Sequence, residues 1–228
     1  MNVIYGMYDE RVGEIELYFN AISELYEHKR EGTQHEYLKD DFLKMLKSNL
    51  ILMVYNLVES TIMGGILRIY DQLKSEGYSY NDVREEIKKI WFEFKFNEVY
   101  DRNAHYNSYR DKAADIINAI LEGKTLELNR KATDISGNLD ADKIRIICHE
   151  HGITYNLSQE CRGGIVLKDV KDKRNDLAHG TLSFEECGRN YSLSDLKEIK
   201  DETIIFLKGI LDGMNAYYSE KKYLKECI

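Results

Sequence analysis

Apolar residues recur at steps of three and four along most of this chain, the signature of helices that each bury one face. Ile15, Phe19, Ile22 and Tyr26 form such a series within a first predicted helix from Tyr8 to Arg30. A longer series, running through Phe42, Leu46, Leu50, Met53, Leu57, Ile62, Ile66 and Leu73, predicts a second helix over Glu36 to Lys74, with Gly64-Gly65 marking a kink or a close crossing. Ser79 and Asp82 are spaced like a capping box, so a third helix is expected from there to Phe96, and a fourth over Ala104 to Leu121. The pattern then weakens. Thr125 to Leu128 reads as a short strand, and Asp140 as the cap of a helix carrying Ile144, Ile147 and Cys148 up to Gly152. A helix over Ser158 to His179 follows, then a loop containing Cys187 to Asn190. The last helix covers Ser194 to Tyr218, with Ile199, Thr203, Phe206, Ile210, Met214 and Tyr217 in one stripe.

The chain has 228 residues, 43% of them hydrophobic and 32% charged, and no proline, which favours long uninterrupted helices. The expected fold is all-α: one domain over residues 1–228, a bundle of long antiparallel helices elaborated by a small insertion around 124–164. No repeat, linker or low-complexity segment interrupts it. The net charge of −8 argues against a broad, sequence-independent grip on nucleic acid, although a local basic site is compatible with it. Four cysteines without short paired spacing fit a reducing cytoplasm. The richest apolar run, Leu50 to Tyr55, lies between Lys47 and Glu59 and reads as core, so neither a membrane span nor a targeting segment is expected.

The most informative stretch is Arg174-Asn175-Asp176-Leu177-Ala178-His179-Gly180. It sets a permanent cation, an amide and an imidazole in the last two turns of one helix, with Gly180 placed to end it. On a helical wheel Asn175 and His179 lie one above the other, while Arg174 is about 140° from His179. One helix therefore cannot aim Arg174 and His179 squarely at one atom. A second copy related by a two-fold axis would bring two of each to one cleft. Lys168, Lys171 and Lys173 extend the positive patch, diluted by Asp169 and Asp172, and a solvated helix face explains the lysines equally well.

RNDLAHG resembles the Arg-(four to six residues)-His signature of the HEPN superfamily, helical bundles that dimerise and often cleave RNA without a metal. Val54 to Ser60 on the second helix, and Ser136-Gly137-Asn138-Leu139-Asp140 before a short one, resemble the MAE-type prokaryotic branch. The resemblance implies Arg174 and His179 as the catalytic pair, Asn175 as the residue that orients them and Glu59 as an acidic neighbour. Lys171 and Lys173 would then contact RNA. Some toxins of this superfamily carry a tyrosine two residues after the histidine, the target of an inactivating partner enzyme; Thr181 stands there in this chain.

Such a site needs no metal and no cofactor. RNA supplies its own nucleophile, the 2′-OH, so a proton acceptor, a proton donor and a cation for the phosphorane suffice, and the product is a 2′,3′-cyclic phosphate. Histidine exchanges protons near neutral pH, and arginine binds two phosphate oxygens at once. The expected function is thus a cytoplasmic homodimeric endoribonuclease acting as a prokaryotic toxin or antiviral abortive-infection effector, with an antitoxin or other regulatory partner. The alternatives are a non-catalytic HEPN module that holds RNA or a nucleotide, and an antitoxin-like interaction protein. Cys148, His149, His151 and Cys161 form a weaker zinc candidate whose spacing matches no standard closed site. Tyr100, Tyr106 and Tyr109 suit bundle packing better than base stacking. Gly163-Gly164 reads as a point of close approach inside a helix, at a dimer axis among other places.

Overall fold

The computed structural model describes residues 1–30, 39–97, 106–133, 135 and 137–225. Among these residues are eight α-helices: α1 (Asn2–Arg30), α2 (Asp40–Ser75), α3 (Glu85–Asn97), α4 (Tyr106–Leu121), α5 (Ala141–His151), α6 (Val166–Ala178), α7 (Phe184–Arg189) and α8 (Leu193–Ser219). Short 3-10 turns precede α5, at Arg130–Thr133, and α6, at Gln159–Gly164. The all-α expectation holds among the described residues. The predicted beginnings of α2 at Glu36 and of α4 at Ala104 lie outside them, as do Tyr100 and Cys227.

Helix α2 is the axis of the molecule, packed against α1, α6, α7 and α8. Leu50, Ile51, Leu57, Val58, Ile62, Ile66 and Ile69 on it have no more than 1% of their surface exposed. Each such side chain contributes roughly 1.5–3 kcal/mol of apolar transfer energy. By length and composition α2 could cross a membrane, but 61% of its most apolar window is buried inside this fold, so the apolar stretch serves as core. Gly64-Gly65 marks a crossing and not a break: α2 runs through it, and a side chain at Gly65 would collide with Met214 of α8. Leu126, Leu139, Ile144, Ile147, Cys148 and Cys161, all from the 124–164 region, join the same buried cluster as α2 and α8.

Five readings differ from the periodicity, the first being α1, which begins at Asn2 and not at Tyr8. Thr125 to Leu128 is not a strand; Thr125 makes a single isolated bridge with Ser79. Ser79 and Asp82 do bond as a capping pair, with the Ser79 N–H donating to Asp82 Oδ2 at 2.8 Å, but they close a turn, and α3 begins only at Glu85. The loop expected around Cys187 contains α7, opened by a capping box between Ser183 and Glu186. Finally, the motif helix does not reach back to Ser158. Arg162, Gly163 and Gly164 have φ of 43°, 68° and 76°, left-handed values that no right-handed helix passes through. The close approach made by Gly164 is to Phe206 of the same chain, whose ring would lie 2.7 Å from an added Cβ.

Candidate functional site

Helix α6 buries Leu167, Val170 and Leu177, and that apolar stripe fixes which side chains meet the rest of the bundle. Arg174 is half-buried and reaches inward, its guanidinium carbon 4.9 Å from the centroid of the Tyr55 ring on α2. Planar guanidinium on an aromatic face is a favourable cation–π arrangement, strengthened where water is excluded. Nη1 donates hydrogen bonds to the Gly137 carbonyl at 3.3 Å and to Asn175 Oδ1 at 3.0 Å. Among the described residues Nε and Nη2 have no hydrogen-bond partner.

Residues 137–140 form the opposite wall, and each of the four is tied to α2 or α6. Gly137 accepts from Arg174; Asn138 Oδ1 accepts from Asn175 Nδ2 at 2.8 Å; the Leu139 N–H donates to the Tyr55 hydroxyl at 3.2 Å; Asp140 accepts from Lys171 Nζ at 2.7 Å. Gly137 has φ of 77°, a left-handed value that favours glycine, and an added Cβ would sit 3.3 Å from Arg174 Nη2 and press on the guanidinium. Asp140 Oδ1 also accepts from the Lys143 N–H, capping α5 as its sequence position predicts. Burial raises the Tyr55 phenol above its ordinary range, with the Leu139 bond and Arg174 opposing it, so the group is a neutral hydroxyl that accepts the Leu139 N–H.

Of the other predicted residues, only Lys171 shares the loop with Arg174 and Asn175. His179 occupies the C-cap of α6 with its imidazole exposed, and its N–H closes the helix onto the Asn175 carbonyl at 2.9 Å. Gly180 follows with φ of 71°, as its place after the helix predicts. Glu59 lies one turn beyond Tyr55 on α2, and its carboxylate contacts Arg130 at 3.4 Å. Lys173 faces Asp176 at 3.7 Å, and Lys171 is held by Asp140, which raises its pKa. Both lysines thus already face a carboxylate, and any phosphate would compete for them. Within one chain, then, the structure joins Arg174, Asn175 and Lys171 through one loop and leaves His179 outside.

Tyr55, Gly137 and Asn138 fall within the two segments that resemble the MAE-type branch, but local sequence patterns assign none of them a role. Their signal is a tertiary one, because Tyr55 lies far along the chain from Arg174. Of the zinc candidates, Cys148, His151 and Cys161 are buried in the core and His149 is exposed. Burial pushes the Cys148 thiol up to about 12 and the His151 imidazole down to about 4. His151 Nδ1 lies 2.7 Å from the Ile147 carbonyl and Nε2 lies 2.7 Å from the Tyr70 hydroxyl. Among the described residues no group of three or more His, Cys, Asp or Glu side chains is arranged to hold a metal ion.

No curated protein and no solved structure matches the chain. The profile of the MAE_28990-like HEPN family does match, over residues 6–223, and so spans every helix from within α1 to the end of α8. HEPN domains form a superfamily of nucleases and RNA-binding proteins. With its eight-helix fold and the Arg174-to-His179 stretch at the end of α6, this chain belongs to the HEPN superfamily, within the MAE_28990-like family.

Proposed function

We propose that the protein is a metal-independent endoribonuclease whose active site is completed by a second copy of the chain. The observation that carries this reading is the state of Arg174: its guanidinium is fixed by Tyr55, Gly137 and Asn175, yet keeps Nε and Nη2 without a partner among the described residues. A cation held in this way is preorganised for non-bridging phosphate oxygens and needs little rearrangement as charge develops on them. His179, exposed at the C-cap of α6, supplies the proton transfer. A two-fold axis along this surface brings the Arg174 of one protomer and the His179 of the other to one phosphodiester.

The reaction then runs in one step. A neutral imidazole removes the 2′-OH proton, the 2′ oxygen attacks phosphorus, and the bond from phosphorus to the 5′ oxygen breaks. A second, protonated imidazole delivers its proton to that leaving oxygen. The products are a 2′,3′-cyclic phosphate and a 5′-hydroxyl, and Arg174 stabilises the phosphorane between them. The biological setting we propose is a prokaryotic toxin or abortive-infection effector restrained by a cognate antitoxin, a reading supported by the superfamily alone.

The test is RNA cleavage by the purified protein with chelator present, with end mapping. Cyclic phosphate ends are expected, together with resistance of RNA deoxy-substituted at the cut linkage. Loss of cutting on chelation, cutting of the deoxy linkage, or undiminished activity in Arg174→Ala and His179→Ala would refute the reading. A non-catalytic RNA-binding module is the second reading, favoured by the absence of a side-chain partner for His179 among the described residues. It predicts retention of intact RNA in a gel-shift assay.

A further inference from the structure

A cavity of ≈ 470 Å³ opens between α3, α4 and the segment just after α4, lined by none of the residues of the Arg174 site. Its volume falls within the usual range for small-molecule sites. Three lysines from three stretches of chain converge on it: Lys95 of α3, Lys112 of α4 and Lys124 beyond α4. Asp115 and Glu127 add two carboxylates, and Trp91 forms part of the apolar wall.

These charges are not equivalent. Glu127 is engaged by Lys74 at 3.0 Å, and that bond, with Lys95 nearby, keeps its carboxyl below the ordinary range. Lys124 contacts Glu122 at 2.8 Å. Lys112, exposed at the rim, has no ion pair among the described residues. Trp91 is only 4% exposed and packs at 5.4 Å against Tyr80, so its indole is a fixed wall. Helix α4, by contrast, buries only Ile116 among its described side chains.

This donor set selects a ligand class. A wholly apolar ligand would strip water from the Lys112 ammonium group without replacing it. A bare inorganic anion would leave the indole wall and both carboxylates unused. A nucleoside phosphate uses all of them, with its ring against the apolar wall, its phosphate on ammonium groups, and its ribose hydroxyls or exocyclic amine donating to carboxylates. We propose that this cavity binds a nucleoside phosphate, base toward Trp91 and phosphate toward Lys112 and Lys124. The ligand is either a free mononucleotide or one nucleotide of an RNA strand. The proposal does not depend on catalysis at Arg174.

Trp91 is the sole tryptophan, so indole fluorescence of the full chain reports on the cavity directly. The titrants are AMP, UMP, adenosine, inorganic phosphate and a non-cleavable 2′-O-methyl oligoribonucleotide, with equilibrium dialysis in parallel. Saturable binding of a mononucleotide is expected, with adenosine and phosphate each weaker by on the order of tenfold. Saturation by the oligonucleotide alone assigns the site to an RNA strand. Lys112→Ala with Lys124→Ala should weaken binding by on the order of tenfold, and the paired Lys→Arg replacements should restore it. Both lysines are exposed, so these variants keep the fold, and circular dichroism verifies that. No saturable binding of either nucleotide form by dialysis, equal binding of adenosine, or undiminished binding by the double alanine variant overturns the proposal.

Discussion

The Arg174 guanidinium lies 4.9 Å from the centroid of the Tyr55 ring, and the hydroxyl of that same ring accepts the Leu139 N–H at 3.2 Å. One side chain thus beds the motif arginine and pins the loop whose Gly137 carbonyl holds it. The two roles are separable. Tyr55→Phe keeps the ring but strands a buried N–H, and should lower stability by about 1–3 kcal/mol in urea denaturation with little change in RNA cutting. Tyr55→Leu also removes the stacking surface, and cutting should fall by on the order of tenfold or more. Wild-type cutting by Tyr55→Leu would show that the ring does not position Arg174.

Asn175 links Arg174 to Asn138 through both ends of its amide, accepting from Nη1 and donating to Asn138 Oδ1. Residues joined in one network lose their effects together. Asn138→Ala and Asn175→Ala should each slow RNA cleavage, and the double variant should be slowed relative to the wild type by less than the product of the two effects. The coupling should amount to about 0.5–3 kcal/mol in a double-mutant cycle. Strict additivity would mean that Asn138 does not act through Asn175.

A site shared between two protomers permits complementation. Arg174→Ala and His179→Ala proteins, each inactive alone, should recover a small part of the activity when mixed and allowed to exchange subunits, since the mixed dimer retains one Arg174 and one His179 as base, with water replacing the second imidazole as proton donor to the leaving oxygen. Sedimentation of the wild type should show a dimer at assay concentration. A monomer that cuts RNA would rule out the shared site.

What the sequence made legible was whatever is written in local periodicity and capping. The stripe of α2, the Asp140 cap and the Gly152 and Gly180 terminations appear where apolar spacing and side-chain chemistry place them. The start of α6 was not legible because Cys161 and Ile165 continue an apolar series across Arg162, Gly163 and Gly164; spacing records which residues are apolar and not the sign of φ. The contacts that complete the site were equally hidden. Arg174, Asn175 and His179 share a contiguous motif, whereas the contacts to Tyr55 and Asn138 arise only when α2 and the 137–140 loop are packed on α6.

Helix α7 shows a further limit of periodicity, since six residues hold too few apolar positions to form a stripe. Its packing is set by Gly188, where an added Cβ would run into the backbone carbonyl of Lys44 on α2. Backbone cannot swing aside as a flexible side chain can, so Gly188→Ala should destabilise the fold by about 1–3 kcal/mol or more. Thermal or urea unfolding tests this, and an unchanged midpoint would mean that α7 shifts freely on α2.

Buried His151 should make the fold sensitive to mild acid. Burial lowers its pKa from 6.5 to about 4, while the unfolded chain retains the ordinary value. Above pH 6.5 neither state carries the proton and His151 adds no pH dependence. Between 6.5 and about 4 the unfolded chain takes up a proton that the native state refuses, so stability falls as pH falls. Below that window both states are protonated and this contribution to the slope ends. The steepest loss is about 1.4 kcal/mol per pH unit. Urea midpoints of the wild type should therefore drop between neutrality and about pH 5.5. His151→Gln, whose amide can still meet the Tyr70 hydroxyl, should show a much flatter profile there whatever its absolute stability. Equal slopes for the two proteins would mean that the native imidazole takes up its proton as readily as the unfolded one, which the burial of the ring, only 2% exposed, argues against.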